Sequence, residues 1–143
     1  MKKYPQIIEP ATGTIVLNKK EVMLPVTGEK WKGAYTIPGG HIEYGEKIMD
    51  AAKRELKEEI GVVPDEIKFL SIGEAVFPDY FHRKAHFIFV NFVGIVEDVS
   101  RITLCEREFS GHLWIAPRAA LASARIVPSA RALIEEYVEQ YER

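Results

Sequence analysis

The chain has 143 residues, of which 47% are hydrophobic and 28% charged, with a formal net charge of −2. These values are typical of a single globular domain over residues 1–143, and they exclude a collagen-like repeat, a coiled coil and a disordered tail. The near balance of acidic and basic residues is a poor match for duplex nucleic acid, so no nucleic-acid polymer is expected as a partner.

Signals for export or membrane insertion are not found in the sequence. The longest nearly apolar run, residues 87–96, is about half as long as a membrane-spanning helix. No apolar stretch of signal-peptide length follows the first residues. The single cysteine, Cys105, has no partner for an internal disulfide. We therefore expect a cytoplasmic protein with no membrane partner.

In chain order, the first half of the sequence predicts strands and then a helix. Strands are expected at residues 7–17, 21–26 and 34–37, with a turn at residues 18–20 that favours a hairpin. Residues 46–60 contain neither glycine nor proline, and Gly61 follows them, which predicts the first helix.

The second half predicts three more strands and a second long helix. Strands are expected at residues 67–77, 85–96 and 112–116, with a polar loop at 98–109 and a helical turn at 117–123. Apolar residues recur at helical spacing from Ala130 to Tyr141, with Ser129 as a plausible N-cap. Trp31 and Trp114 are expected to pack rather than to bind. This order indicates a mixed α/β sandwich without fixing its topology.

The first predicted helix carries glutamates that conflict with its amphipathic pattern. At about 100° per residue, Glu59 falls inside the apolar stripe, about 40° from Glu55, and Glu58 lies on the flank of the stripe. Arg54 is expected on the other edge, near Asp50 and Glu58, where it does not relieve the repulsion between Glu55 and Glu59. The stripe itself consists of Ile48, Ala52, Leu56 and Ile60.

Two interpretations of this acidic cluster are open. Glutamate favours helices, and most runs of glutamate are simply solvated. Against this, an unpaired carboxylate beside a core-facing stripe is unfavourable. Several carboxylates on one helical edge are the ligands that Mg²⁺ or Mn²⁺ takes, together with water and substrate phosphates. The pattern favours such a metal site, which would also allow an acidic protein to bind a polyanion.

One spacing of glycine, glutamate and arginine runs through this helix and the loop before it. Gly40, Glu46 and the segment 54–62, Arg-Glu-Leu-Lys-Glu-Glu-Ile-Gly-Val, match all nine fixed positions of the Nudix box. The chain therefore resembles the Nudix hydrolase family. The resemblance implies an α/β/α sandwich with a mixed sheet between helices. It also implies hydrolysis of a nucleoside diphosphate joined to another moiety, giving a nucleoside monophosphate and a phosphorylated product.

The resemblance also implies roles for individual residues. The implied metal ligands are the carbonyl of Gly40 or Gly39 and the carboxylates of Glu46, Glu55, Glu58 and Glu59. Arg54 is implied to orient the box carboxylates rather than to touch substrate. The general base is either Glu55 or a glutamate from a later loop, for which Glu108 is the candidate and Glu106 its nearest rival. The implied cofactor is Mg²⁺, with Mn²⁺ as a substitute.

The turn after residue 77 carries the candidate substrate contacts. In the family, a proline about sixteen residues after the box accompanies ADP-ribose hydrolysis, and a tyrosine about eighteen after it accompanies dinucleoside polyphosphate hydrolysis. Pro78 and Tyr80 fit both markers, which therefore do not decide between the substrates. Tyr80 or Phe81 is a candidate for stacking on a base, and Arg83 for reaching phosphate. A turn proline, a core aromatic residue and an exposed cation are the structural alternatives.

The resemblance leaves more than one function open. The first expectation is hydrolysis of ADP-ribose, a nucleotide sugar or a dinucleoside polyphosphate. The alternatives are a nucleoside triphosphate pyrophosphohydrolase and a non-catalytic module that senses a nucleotide. An isomerase would need catalytic groups outside the box. Because the box keeps all of its glutamates, we favour an enzyme with a small nucleotide substrate, and a homodimer is compatible with the resemblance.

Overall fold

Residues 6–27 and 33–142 are described in a computed structural model. In chain order the elements are β1 (Glu9–Asn18), β2 (Glu21–Thr27), β3 (Gly39–His41), α1 (Ile48–Ile60), β4 (Glu66–Val76), β5 (His86–Ile95), β6 (Phe109–Ile115), α2 (Pro117–Ser123) and α3 (Pro128–Tyr141). Of the helices in these two ranges, none is long and apolar enough to span a membrane. Trp114 packs against the core as expected, whereas Trp31 lies outside the described residues.

The strands form one six-stranded mixed sheet. Its order is β4-β5-β1-β2-β6, and β3 pairs with β1 outside this path. β1 and β2 form the predicted antiparallel hairpin, with Asn18 opposite Glu21. β1 runs parallel to β5, while the other pairs are antiparallel. The start of β1, around Gly13, therefore lies between β3 on one side and β5 on the other.

Helices cover both faces of the sheet. Successive side chains of a strand point to opposite faces, and in β1 both sets are buried. Ile15 and Leu17 pack in one cluster with Leu133 of α3. Val16 packs in a second cluster with Leu56 of α1. This arrangement confirms the predicted α/β/α sandwich, and it explains why residues 15–17 of β1 form a continuous apolar run.

Some predicted boundaries are wrong near the box. Residues 34–37 do not form a strand, because only Tyr35 makes isolated bridges there. The short strand lies instead at Gly39–His41, where it pairs with β1. The first helix begins at Ile48 rather than at Glu46. Glu46 belongs to a turn, since its backbone N–H donates to the Glu43 carbonyl and its carboxylate accepts from the Glu43 N–H.

Two predictions in the second half also need correction. The last strand begins at Phe109 and ends at Ile115, so it takes up the end of the predicted loop. Ser129 does not cap α3, because the N-cap residue is Val127 and no side-chain cap hydrogen bond forms. Pro128 occupies the first helical position, where its fixed φ suits the helix and its missing N–H costs nothing.

Candidate active site

Gly39 and Gly40, which begin the short strand β3, lie directly against α1, and we call this pair of residues the glycine loop. Gly40 pairs with Thr12 of β1, and a Cβ atom on Gly39 would lie 2.0 Å from the Thr12 carbonyl oxygen. A Cβ atom on Gly40 would lie 2.4 Å from the carboxyl carbon of Glu55. Gly39 therefore requires glycine, because a side chain there would collide with the backbone of the central strand, whereas a side chain at Gly40 would displace the Glu55 carboxylate.

Glu59 is a buried carboxyl group, as its place in the apolar stripe predicts. It is 5% exposed, and the Gly39 N–H donates to its two oxygens at 3.3 and 3.2 Å. Burial, followed by the negative charges of Glu108 and Glu55, raises the pKa of Glu59 to about 9. The fold thus disfavours a bare negative charge at Glu59 and favours either a bound proton or a nearby cation.

Glu55 lies beside Glu59 but has a cationic partner. Arg54 Nη1 lies 2.9 Å from Glu55 Oε1, so the prediction that no basic residue relieves Glu55 is wrong. Burial raises the pKa of Glu55, the hydrogen bond from Arg54 opposes this, and the charges of Glu58 and Glu108 add to the rise. The helical projection failed here because it places Cβ atoms, whereas the long arginine side chain reaches around the helix.

Arg54 is shared among several box carboxylates. Its Nε and Nη2 atoms donate to the two oxygens of Glu46 at 2.7 and 3.0 Å. Its Nη1 atom also lies 3.3 Å from Glu58 Oε2, and Nη2 donates to the His41 carbonyl at 3.0 Å. The hydrogen bond from Arg54 is the main reason that the pKa of Glu46 falls to about 2. No ion pair with Asp50 forms among the residues in these ranges.

Glu108 reaches the same cleft from the loop before β6. The Cys105 N–H donates to the Glu59 carbonyl at 2.8 Å, and the Glu108 N–H donates to the Cys105 carbonyl at 3.1 Å. This turn ties the loop to the end of α1, and the charge of Glu108 raises the pKa of both Glu55 and Glu59. Glu106 contributes instead to a separate shallow depression beside β6.

The donor chemistry of this cluster suits a hard divalent cation. Carboxylate and carbonyl oxygens are the ligands that Mg²⁺ and Mn²⁺ prefer. Among the causes of the raised Glu59 pKa that the described residues supply, none is a neighbouring cation. Within the described part of the chain, however, no three His, Cys, Asp or Glu side chains already surround one point as ligands. The guanidinium of Arg54 contacts Glu46, Glu55 and Glu58, so it sets the directions in which these three carboxylates lie.

The candidate substrate residues of the turn after β4 separate into two groups. Phe81 lines the cleft and is buried against Phe87, with ring centroids 5.2 Å apart. Tyr80 packs instead against the core cluster beneath α3. Arg83 makes two hydrogen bonds to Glu9, at 2.8 and 2.7 Å. Only Phe81 of the three therefore borders the cleft.

The cleft itself has a volume of about 650 Å³ and extends from the box carboxylates to α3. This size falls in the range of small-molecule sites. Sequence reasoning missed two of its polar lining residues, Asn91 and Glu136. Both left a signal, since Asn91 interrupts the apolar run of residues 87–96 and Glu136 borders the apolar stripe of α3.

Comparisons with known proteins identify the family of this chain. The family model for the NUDIX domain matches residues 8–137. An ADP-ribose pyrophosphatase from Methanocaldococcus jannaschii is 36% identical over 67 residues, covering 45% of this chain and 40% of that protein. An RNA pyrophosphohydrolase from Cereibacter sphaeroides is 27% identical over 149 aligned residues, covering 92% of this chain and 89% of that protein.

The fold of the chain is shared with solved structures. The structure of a MutT protein from Methanosarcina mazei Go1 superimposes with a TM-score of 0.80 at 18% identity, covering 99% of this chain and 100% of that one. The family model accounts for nearly the whole described chain, and the Nudix box lies on α1 and the glycine loop packed against it. The chain therefore belongs to the Nudix hydrolase family.

Proposed function

We propose that this protein hydrolyses the pyrophosphate link of a nucleoside diphosphate joined to another moiety, using Mg²⁺, for which Mn²⁺ can substitute. ADP-ribose, nucleotide sugars and dinucleoside polyphosphates are the proposed substrates. The products are a nucleoside monophosphate and a phosphorylated partner. The observation that carries the proposal is the buried Glu59 carboxyl, which has carboxylates rather than a cation around it. The family generally uses divalent metal ions.

The metal site is proposed to form at the edge of α1 that faces the glycine loop. Glu59 is the central ligand, because a buried charge without a counterion is unfavourable. When bound, the ion supplies positive charge at the pyrophosphate and lowers the pKa of an attacking water. The full proposed set is the Gly40 carbonyl with Glu46, Glu55, Glu58 and Glu59.

Arg54 is proposed as a positioning residue. Its guanidinium binds Glu46 through two atoms and Glu55 through a third. It therefore fixes the directions of carboxylates that approach from the loop and from the helix. Because its donors are already used by protein oxygens, we do not assign it a contact with substrate.

Glu108 is proposed as the general base. Glu55 Oε1 already accepts a hydrogen bond from Arg54 at 2.9 Å, so this oxygen is not available to a water molecule. Within residues 6–27 and 33–142, no hydrogen bond or ion pair holds the exposed Glu108 carboxylate, and it borders the cleft. Glu108→Gln is expected to lower kcat more than tenfold at saturating Mg²⁺ without lowering Tm. A smaller loss of kcat would exclude this role.

The direct test is a substrate panel with and without Mg²⁺. ADP-ribose, a nucleotide sugar, a dinucleoside polyphosphate and a nucleoside triphosphate are incubated with the protein, and the products are identified by ³¹P NMR. We expect Mg²⁺-dependent release of a nucleoside monophosphate. Glu106→Gln is the matched control, since it removes a glutamate from the same loop but outside the cleft. Failure to cleave any compound in the panel would contradict the proposed activity.

Two alternatives belong in the same panel. A nucleoside triphosphate would be the preferred substrate of a pool-sanitising enzyme. The relative that covers 92% of this chain is named an RNA pyrophosphohydrolase, so a short RNA with a 5′-triphosphate is included. The expectation that no nucleic-acid polymer binds stays a prediction until that compound is tested. A homodimer and a cytoplasmic location also stay predictions.

A further inference from the structure

The part of the cleft that α3 covers lies about as far from the glycine loop as a nucleoside is long. Gly39 of β3 pairs with Gly13 of β1, and Gly13 pairs with Asn91 of β5. Neighbouring strands are about 4.8 Å apart, so the Asn91 backbone lies roughly 10 Å from that of Gly39. If the phosphates of a ligand lie at the glycine loop, this distance allows its nucleoside to lie over β1 and β5.

Asn91 forms a polar floor at this place. Its side chain is 6% exposed, and Nδ2 donates to Ser71 Oγ at 3.2 Å. This hydrogen bond turns Oδ1 toward β1, where it lies 2.9 Å from the position that a Cβ atom on Gly13 would occupy. The carboxamide of Asn91 thus contacts both neighbouring strands, β4 through Nδ2 and β1 through Oδ1, and its acceptor oxygen lies over Gly13.

Glu136 adds a second acceptor from the helix above. On α3, Leu133 lies over Gly13, and Gln140 donates to the Leu70 carbonyl at 3.5 Å. Glu136 lies between them in the same helix and lines the cleft. Its Oε2 atom is buried and has no hydrogen-bond partner among the residues described. A buried acceptor without a donor is unfavourable, so a ligand that brings a donor would be bound selectively.

The side of this space is aromatic. Phe87 and Phe89 line the cleft from β5, with ring centroids 5.4 Å apart and an interplanar angle of 26°. Phe81 meets Phe87 edge to face at 78°. Such rings provide an apolar wall against which a planar heteroaromatic group packs well.

We infer that this space is a nucleobase subsite that selects guanine. The inference rests on the proposed function and adds the identity of the base. Among the proposed substrates it favours nucleotide sugars and dinucleoside polyphosphates that carry guanine over ADP-ribose, whose base is adenine. Glu136 and the Asn91 Oδ1 atom are both acceptors, so their complement is a base edge that carries N–H donors. Guanine carries N1–H and the 2-amino group side by side, whereas adenine carries an acceptor at N1 that would face the carboxylate. Glu136 is therefore assigned as the residue that determines base specificity.

The test measures binding of nucleoside monophosphates without metal. ¹⁵N-labelled protein is titrated with GMP, IMP and AMP, and IMP differs from GMP only in lacking the 2-amino group. We expect GMP to bind about tenfold more tightly than IMP, since one hydrogen bond to a charged acceptor is lost. Chemical shifts should change at the amides of Gly13 and Gly73 and at the Asn91 side chain.

Glu136→Gln is the decisive variant, and Glu135→Gln is its matched control. Both remove one charge from α3, but Glu135 is exposed and does not line the cleft. We expect the GMP preference to fall below about twofold in Glu136→Gln and to persist in Glu135→Gln. Equal Kd values for GMP and IMP in the unmodified protein, a preference that survives in Glu136→Gln, or shifts outside the cleft would each overturn the inference.

The substrate panel keeps this inference distinct from the proposed function. For this purpose the panel also contains the guanosine and inosine forms of the same nucleotide sugar. If these two compounds are hydrolysed with equal kcat/KM, the base assignment fails while the hydrolase activity stands. If no compound is hydrolysed, the proposed function fails whatever the binding data show.

Discussion

Replacing Glu59 by glutamine separates two consequences of burying this carboxyl group. The substitution keeps the size of the side chain and removes its titratable charge. Without metal it should stabilise the fold, because glutamine does not have to bind a proton when it is buried. With Mg²⁺ it should abolish most turnover, since the proposed central ligand loses its negative charge.

The stabilisation follows from the pKa of Glu59, which rises from 4.5 to about 9 on folding. Below pH 4.5 the carboxyl is protonated in both states, so its burial has no protonation cost. As pH rises from 4.5 toward 9, the folded protein must retain a proton that the unfolded chain has released. The cost grows by about 1.4 kcal/mol per pH unit, which gives about 3 kcal/mol at pH 7.

Thermal unfolding between pH 5 and pH 9 in EDTA measures this difference. We expect Glu59→Gln to melt roughly 5–10 °C above the unmodified protein at pH 7 and close to it at pH 5. Added Mg²⁺ should raise Tm of the unmodified protein and of Glu106→Gln but not of Glu59→Gln. Equal melting temperatures across the pH range, or a Mg²⁺ response that survives in Glu59→Gln, would refute the reasoning.

Two further substitutions test the loop contacts. Gly40→Ala places a Cβ atom 2.4 Å from the Glu55 carboxyl carbon, so urea unfolding should show a loss of about 1–3 kcal/mol together with lower turnover. Gly111→Ala is its control, because a Cβ there meets no atom of the described residues within 4 Å apart from its own chain neighbours. Arg83→Gln should cost about 1 kcal/mol at pH 7 by releasing Glu9. The hydrogen bond from Arg83 is the main cause that lowers the pKa of Glu9 to about 2, so this contribution is complete above pH 4.5 and should vanish as pH falls to 2. A loss of equal size at pH 2 would contradict the assignment.

The sequence predicted the parts of the fold that local patterns determine. The Gly61 stop and the apolar stripe of α1 were enough to place Glu59 in the core, where it is 5% exposed. The turn at Lys19 determined the β1–β2 hairpin. In each case the signal lies within a few residues, because helical and strand periodicities are short-range properties.

Long-range contacts account for most of what the sequence did not predict. The parallel pairing of Gly13 with Asn91 joins residues that are distant in the chain. Neither residue alone indicates a cleft. Their pairing matters because Gly13 has no side chain, which leaves room for the Asn91 carboxamide beside it. Glu136 borders that space only because α3 crosses the sheet from β1 to β4, and no local pattern specifies such a crossing.

Arg54 shows how one long side chain links the loop to the helix, and it yields a last prediction. Its planar fork donates to Glu46 and Glu55 at the same time, whereas a lysine ammonium is a point charge that cannot hold both in fixed directions. Arg54→Lys keeps the charge, so folding should change little while the carboxylates lose their alignment. We expect the Mg²⁺ concentration for half-maximal activity to rise about tenfold or more, as it does when groups that orient metal ligands are removed.

Titrating both turnover and Tm with Mg²⁺ distinguishes this loss of alignment from lost substrate binding, which would change KM for the nucleotide alone. If the Mg²⁺ requirement of Arg54→Lys matches that of the unmodified protein, then alignment of the carboxylates does not depend on the guanidinium fork.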